Sequence, residues 1–131
     1  MTKRHAICLP LVASLALLSS LLSGCAVVAV GALVGTAAYL EGELVSYVAA
    51  DIFDTVDATL DAVEDLRLEP IKQTGDRYKA TMVALNSAGE KVTIKLTPED
   101  PKITKVRIRY GNIGDKDASA KVLNAIERNL R

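Results

Sequence analysis

The tetrapeptide Leu22-Ser23-Gly24-Cys25 closes an apolar leader, and it constrains this chain more than any other feature. Lys3 and Arg4 make a short positive start. Ala6 to Leu18 form an apolar run broken only by Pro10 and Ser14, and Ser19-Ser20 open a more polar stretch. That order is the order of a secretory signal peptide. The tetrapeptide itself matches the bacterial lipobox: Leu, a small residue, Gly or Ala, then Cys. Small side chains let the segment lie extended in a peptidase groove, and the cysteine thiol is the group that receives diacylglycerol. The bland alternative is an uncleaved anchor with an incidental cysteine. Cys8 does not fit the pattern, because His5 stands where Leu is required.

Three consequences follow for the 131-residue chain. Residues 1–24 are expected to be removed, so the mature chain starts at Cys25 and hangs from a membrane by its lipid. Each buried methylene contributes about 0.8 kcal/mol, and two acyl chains hold a protein stably on a bilayer. The compartment is oxidising, but the one mature cysteine is acylated, so no intrachain disulfide is expected. Ala26, rather than Asp, follows the acceptor. In proteobacterial lipoproteins this points to the outer membrane, periplasmic face, instead of the inner membrane.

Ala26 to Leu40 is apolar and rich in Ala, Val and Gly. It is shorter than the roughly 20 residues of a spanning helix. Three readings fit it: a flexible tether beside the lipid, a membrane-dipping helix that self-associates through Gly31 and Gly35, or burial against the folded domain. The domains read as 1–24 signal peptide, 25–40 lipidated cysteine and tether, and 41–131 folded domain.

From Glu41 onward the patterning is that of a small α+β domain. Glu43 to Val48 reads as a strand. Asp51 to Leu66 reads as a helix with Asp51 as its N-cap and a stripe of Ile52, Val56, Leu60, Val63 and Arg67, widened by Phe53 and Leu66. Leu68 to Gln73 is a weak strand, with Pro70 marking an edge. Thr74-Gly75-Asp76 reads as a turn, Tyr78 to Leu85 as a strand, and Asn86 to Gly89 as a second turn. Lys91 to Thr97 alternates Val92, Ile94 and Leu96 against Lys91, Thr93 and Lys95. After a turn at Pro98 to Pro101, Ile103 to Tyr110 alternates Val106, Ile108 and Tyr110 against Lys105, Arg107 and Arg109. Such alternation belongs to an antiparallel sheet with one packed and one solvated face. Asp117 to Leu130 reads as a closing helix, capped by Asp115 or Asp117, with Val122, Leu123, Ile126 and Leu130 on its apolar face. The expected fold is a two-layer sandwich, β-α-β-β-β-β-α, with both helices on one sheet face.

Cys25 with its Ala/Gly-rich follow-on, Tyr39-Leu40-Glu41-Gly42-Glu43-Leu44, Lys91-Val92-Thr93-Ile94-Lys95-Leu96 and Val106-Arg107-Ile108-Arg109-Tyr110-Gly111-Asn112-Ile113-Gly114-Asp115 together resemble a family of small bacterial lipoproteins, domain of unknown function 3568. The resemblance covers most of Cys25 to Leu130. It implies a location and a fold, with no activity and no catalytic residue to carry over.

His5, Cys8 and Cys25 all lie in the first 25 residues, and the remainder holds no His, Cys or Trp. That composition leaves no Ser-His-Asp triad, no Cys-His pair and no customary zinc ligand set, and no metal or cofactor is expected. Carboxylate-only chemistry stays open as an alternative, a hydrolase of envelope material using Asp51, Asp54, Asp57, Asp61 or Glu64. An acidic helix face is also simply a solvated face. Asp115-Lys116-Asp117 reads as helix capping, and Gly111 and Gly114 as a tight turn rather than an anion cradle.

Charge is distributed unevenly. Glu41 to Glu69 carries nine acidic side chains and one basic, Arg67, whereas Pro70 onward carries seven acidic and 13 basic. Lys79, Lys91, Lys95, Lys105, Arg107 and Arg109 are expected to project from neighbouring strands as a basic face. Either that face is merely solvated, with lysines that discourage aggregation, or it meets an anionic partner: headgroups, wall-polymer carboxylates or an acidic patch on another envelope protein. The zero net charge and the lack of interleaved aromatics argue against nucleic acid. The expected role is a membrane-anchored, non-enzymatic binding or structural module.

Overall fold

The computed structural model describes residues 34–131. The expected signal peptide, the expected lipobox with Cys25 and the Gly31 end of the GxxxG step lie outside these residues. The described chain runs β1 (Ala37–Leu40), β2 (Glu43–Val48), α1 (Ile52–Asp65), β3 (Glu69–Asp76), β4 (Lys79–Leu85), β5 (Lys91–Asp100), β6 (Ile103–Tyr110) and α2 (Lys116–Asn129). The six strands form one antiparallel sheet in the order β1-β2-β6-β5-β4-β3. Both helices cover the same sheet face, as the strand patterning requires.

The core forms where the two layers meet. Val92, Ile94, Val106, Ile108 and Ile126 are fully buried, with Leu44, Met82, Leu96, Val122 and Leu123 close behind. The clean alternation of β5 and β6 delivers these residues to one face, since successive side chains on a strand point to opposite sides. Three threonines drawn into the core donate to backbone carbonyls, whereas the hydroxyl of the fully buried Ser119 has no partner among the described residues. Thr55 Oγ1 donates to Asp51 O at 2.6 Å, Thr59 Oγ1 to Thr55 O at 2.7 Å, and Thr104 Oγ1 to Ala50 O at 2.9 Å.

α1 begins where expected. The Asp51 carboxylate accepts from the N–H groups of Phe53 and Asp54, satisfying two donors that the first helical turn leaves without intrahelical partners. Its buried face differs from the expected stripe. Ile52, Thr55, Ala58, Thr59, Ala62 and Val63 are inside, Val56 and Leu60 are half-buried, and Phe53 is 66% exposed. Small residues carry the contact because α1 lies against both α2 and the sheet, where bulk would hold the layers apart. Arg67 is not helical. It takes a left-handed conformation (φ 52°), with Arg67 N–H bonded to Glu64 O and Leu68 N–H to Val63 O. That pair of bonds is the Schellman ending of a helix, accompanied by the buried Val63 and Leu68.

Several boundaries move. Ala37–Leu40, assigned to the tether from sequence, is a sheet strand, so of the three readings of that stretch, association with the domain holds for its last residues. Ala-rich composition hides such a strand, because backbone pairing to β2 holds it more than side-chain packing does. Upstream of it, Gly35 N–H donates to Tyr47 O, and Ser46 Oγ to Thr36 O, both at 3.0 Å. The β3–β4 turn is Arg77-Tyr78 rather than 74–76, because the Asp76 carboxylate accepts from Tyr78 and Lys79 N–H and closes the hairpin there. β5 continues through Pro98 to Asp100 by way of an irregularity in its pairing with β6, which moves that turn to Pro101-Lys102. β3 is exposed along its whole length, the edge strand that Pro70 signals.

Candidate functional site

The open sheet face carries the charged alternation. Lys95 lies directly opposite Arg107, Thr93 opposite Arg109, and Thr97 opposite Lys105, while Lys91 stands opposite Leu85 at the start of β5. These five cations therefore share one face, and Lys79, also expected there from the sequence, joins them from β4. Like charges directly opposite each other destabilise a strand pair. The Lys95–Arg107 pairing thus needs a counter-charge, and Glu43 supplies it.

Glu43 opens β2 on the same face. Its Oε1 lies 3.3 Å from Lys95 Nζ and 3.6 Å from Arg109 Nε, and its Oε2 pairs with Arg107 Nη2. The residue is only 7% exposed, whereas the three cations around it are part-exposed. Burial pushes its carboxyl pKa up, but the hydrogen bonds and charges of Lys95 and Arg107 outweigh burial and hold it below the ordinary glutamate value. Lys105 sits 3.8 Å from Glu99 and over the Tyr47 ring at 5.6 Å. Arg109 Nη2 also donates to Glu41 O at 3.0 Å. Five cations against Glu43 and Glu99 leave the centre of the face with a positive excess.

Sequence reasoning found the cations and missed Glu43. The missed signal was parity: Glu43 alternates with Leu44, Ser46 and Val48, all buried on the core side, so it belongs to the open face. What that parity does not reveal is that β2 lies beside β6, which only the sheet order decides.

The remaining candidates separate. Asp51, Asp54, Asp57 and Asp61 border one cleft with Lys102 and Asn129 along α1. Asp51 is committed to capping, and the others line up along the outer helix face. Among the described residues no group of three or more His, Cys, Asp or Glu is placed to hold a metal ion. Asp115 caps α2 by accepting from Ala118 N–H at 2.9 Å. Gly114 (φ 97°) packs against the β1–β2 turn: a Cβ there would collide with Gly42 O and the Tyr39 hydroxyl. Two of the motif stretches, Tyr39 to Leu44 and Val106 to Asp115, thus meet in space. Gly42 and Gly114 serve this close approach. No helix of the described residues is long and apolar enough to cross a membrane.

Fold and face define a class: a small two-layer α+β sandwich whose helices cover one side of the sheet and whose other side carries clustered cations around a buried carboxylate. Within it, the chain belongs to the family described as Protein of unknown function (DUF3568), whose model matches residues 7–129. No curated protein matches the chain.

Proposed function

We propose that this chain is a lipoprotein anchored through Cys25 to the periplasmic face of the outer membrane, where it acts as a non-enzymatic module whose basic sheet face engages anionic envelope material. The observation that carries the reading is the gathering of Lys91, Lys95, Lys105, Arg107 and Arg109 on one uncovered sheet face, where Glu43 holds Lys95, Arg107 and Arg109 and Glu99 holds Lys105. A lipid anchor keeps such a face at high local concentration near headgroups, so weak attraction suffices. The signal peptide and lipobox support the location.

Binding of a 34–131 fragment, which retains β1, to phosphatidylglycerol vesicles tests the face. Binding is expected at low salt and to fall steeply as salt rises. Lys91→Gln with Lys105→Gln should weaken it by up to about thirtyfold, since each basic group near an anionic surface contributes at most about 1 kcal/mol. Glu43→Gln should strengthen it by removing the central negative charge. Absence of binding at low salt, or indifference to these changes, refutes the role of the face.

A further inference from the structure

The free edge of β3 has properties that its position at the sheet margin alone does not account for. The Asn86 N–H donates to Glu90 O across the β4–β5 turn, and this sets the hydrogen-bonding phase of the β4–β5 ladder. Because bonded and non-bonded pairs alternate along antiparallel strands, Lys79, Thr81 and Val83 turn their backbone groups toward β3. Their partners Asp76, Thr74 and Lys72 are therefore the bonded residues of β3. Gln73 and Gly75 must then direct their N–H and C=O groups outward, to the unpaired edge.

We infer that this edge pairs with the same edge of a second copy, antiparallel, about a two-fold axis at Thr74. Three independent features fit that register. Gln73 falls opposite Gly75 of the other copy, so the four outward backbone groups of each chain meet their complements. Lys72 falls opposite Asp76 twice over, a pair of opposite charges at non-bonded positions, where side chains come closest. The pairing irregularity between Pro70 and Lys72 ends the straight part of the edge where this register ends. Proline and lysine commonly guard an edge; here Pro70 lies beyond the paired stretch, and the lysine meets an aspartate.

Beside the edge lies a mixed groove between α1 and β3, where the apolar Ile52, Phe53, Val56 and Ala80 are bordered by Asp57 and Asp76. Phe53, Ile71 and Tyr78 are exposed by 66%, 51% and 72%. The two-fold axis stands perpendicular to the sheet, so the two helix layers lie on the same side and the two grooves adjoin. The two basic faces also become one surface on a continuous sheet. A monovalent patch thereby becomes bivalent toward an extended anionic partner, although the pairing itself does not depend on the proposed function.

A cysteine on the axis tests the register. In the full chain, Thr74→Cys is expected to form an interchain disulfide without added crosslinker, since non-bonded antiparallel partners have Cα atoms within disulfide range. Non-reducing gels of membranes should show a dimer band. Thr81→Cys, on the same face one strand inward, should stay monomeric. Lys72→Asp added to Thr74→Cys should cut the crosslinked fraction about tenfold, because both attractive pairs become repulsive. Crosslinking of Thr74→Cys no greater than Thr81→Cys, unaffected by Lys72→Asp, or directed to a different protein overturns the proposal. The unsubstituted chain is the control for Cys25: a dimer band there reports failed acylation, which is separate from the edge.

Discussion

At Glu43, burial and charge act on one carboxyl in opposite directions, and charge prevails. Its folded pKa lies below the unfolded value, so the ionised form contributes stability that is fully present above the ordinary glutamate pKa and is lost as pH falls through the folded value. Glu43→Gln should cost about 1.5–3 kcal/mol at pH 7, the range for hydrogen bonds to charged groups. The gap between wild type and variant should begin to close as pH falls below the ordinary glutamate pKa, and should close fully only below the lowered folded one. Urea melts across pH read this directly, and a gap that stays constant with pH refutes the ion-pair account. Changing Lys95, Arg107 and Arg109 without Glu43 would strand a buried carboxylate. Loss of binding in that triple variant would therefore be confounded by loss of fold.

Among the elements, β5 and β6 carry the core and the turns set the spacing. Ile94 and Ile108 are fully buried, and truncating either to Ala should cost roughly 2–4 kcal/mol through lost transfer energy and a residual cavity. Thr93→Ala, on the open face, should cost well under 1 kcal/mol, within the range of a surface change. Equal losses in denaturant melts would contradict the two-layer arrangement. Gly114→Ala belongs to the same scale. It forces a side chain into the Gly42 carbonyl and imposes a left-handed backbone, and should cost about 2–4 kcal/mol. Thermal melts check it, with Gly89→Ala as the comparison: Gly89 also has positive φ (79°) but no neighbour within 4 Å, so it isolates the backbone part.

Across the whole molecule, charge is layered. The acidic row of α1 lies in the helix layer, and the basic strands present their cations on the opposite side of the sheet, so these two groups of charge are kept apart by the sheet. Held by the proposed lipid anchor, a domain with this charge asymmetry would be turned toward a charged surface instead of merely attracted to it. Cys25→Ser is expected to leave the chain unacylated and move it from the membrane pellet to the soluble fraction. A variant that remains in the pellet with its full-length mass refutes the lipid anchor.

Local rules made much of this chain legible. A period of two separates core from charged face from Lys91 to Leu96 and from Thr104 to Arg109, and Asp51 and Asp115 mark both helix starts, because caps and strand parity depend only on near neighbours. The resemblance motifs reached the correct family for the same reason, being short and contiguous. What local rules cannot carry is contact between distant segments. Phe53 matches a core stripe by spacing, yet tertiary packing selects the small residues Ala58 and Ala62 for the helix–helix contact and leaves Phe53 outside. Ala37–Leu40 has little strand propensity and becomes a strand because β2 offers an unpaired edge. Glu43 is an ordinary glutamate until the order β2-β6-β5 sets it beside Arg107 and within reach of Lys95. Neighbours in the chain determine which way a side chain points, and only the folded sheet determines what it meets there.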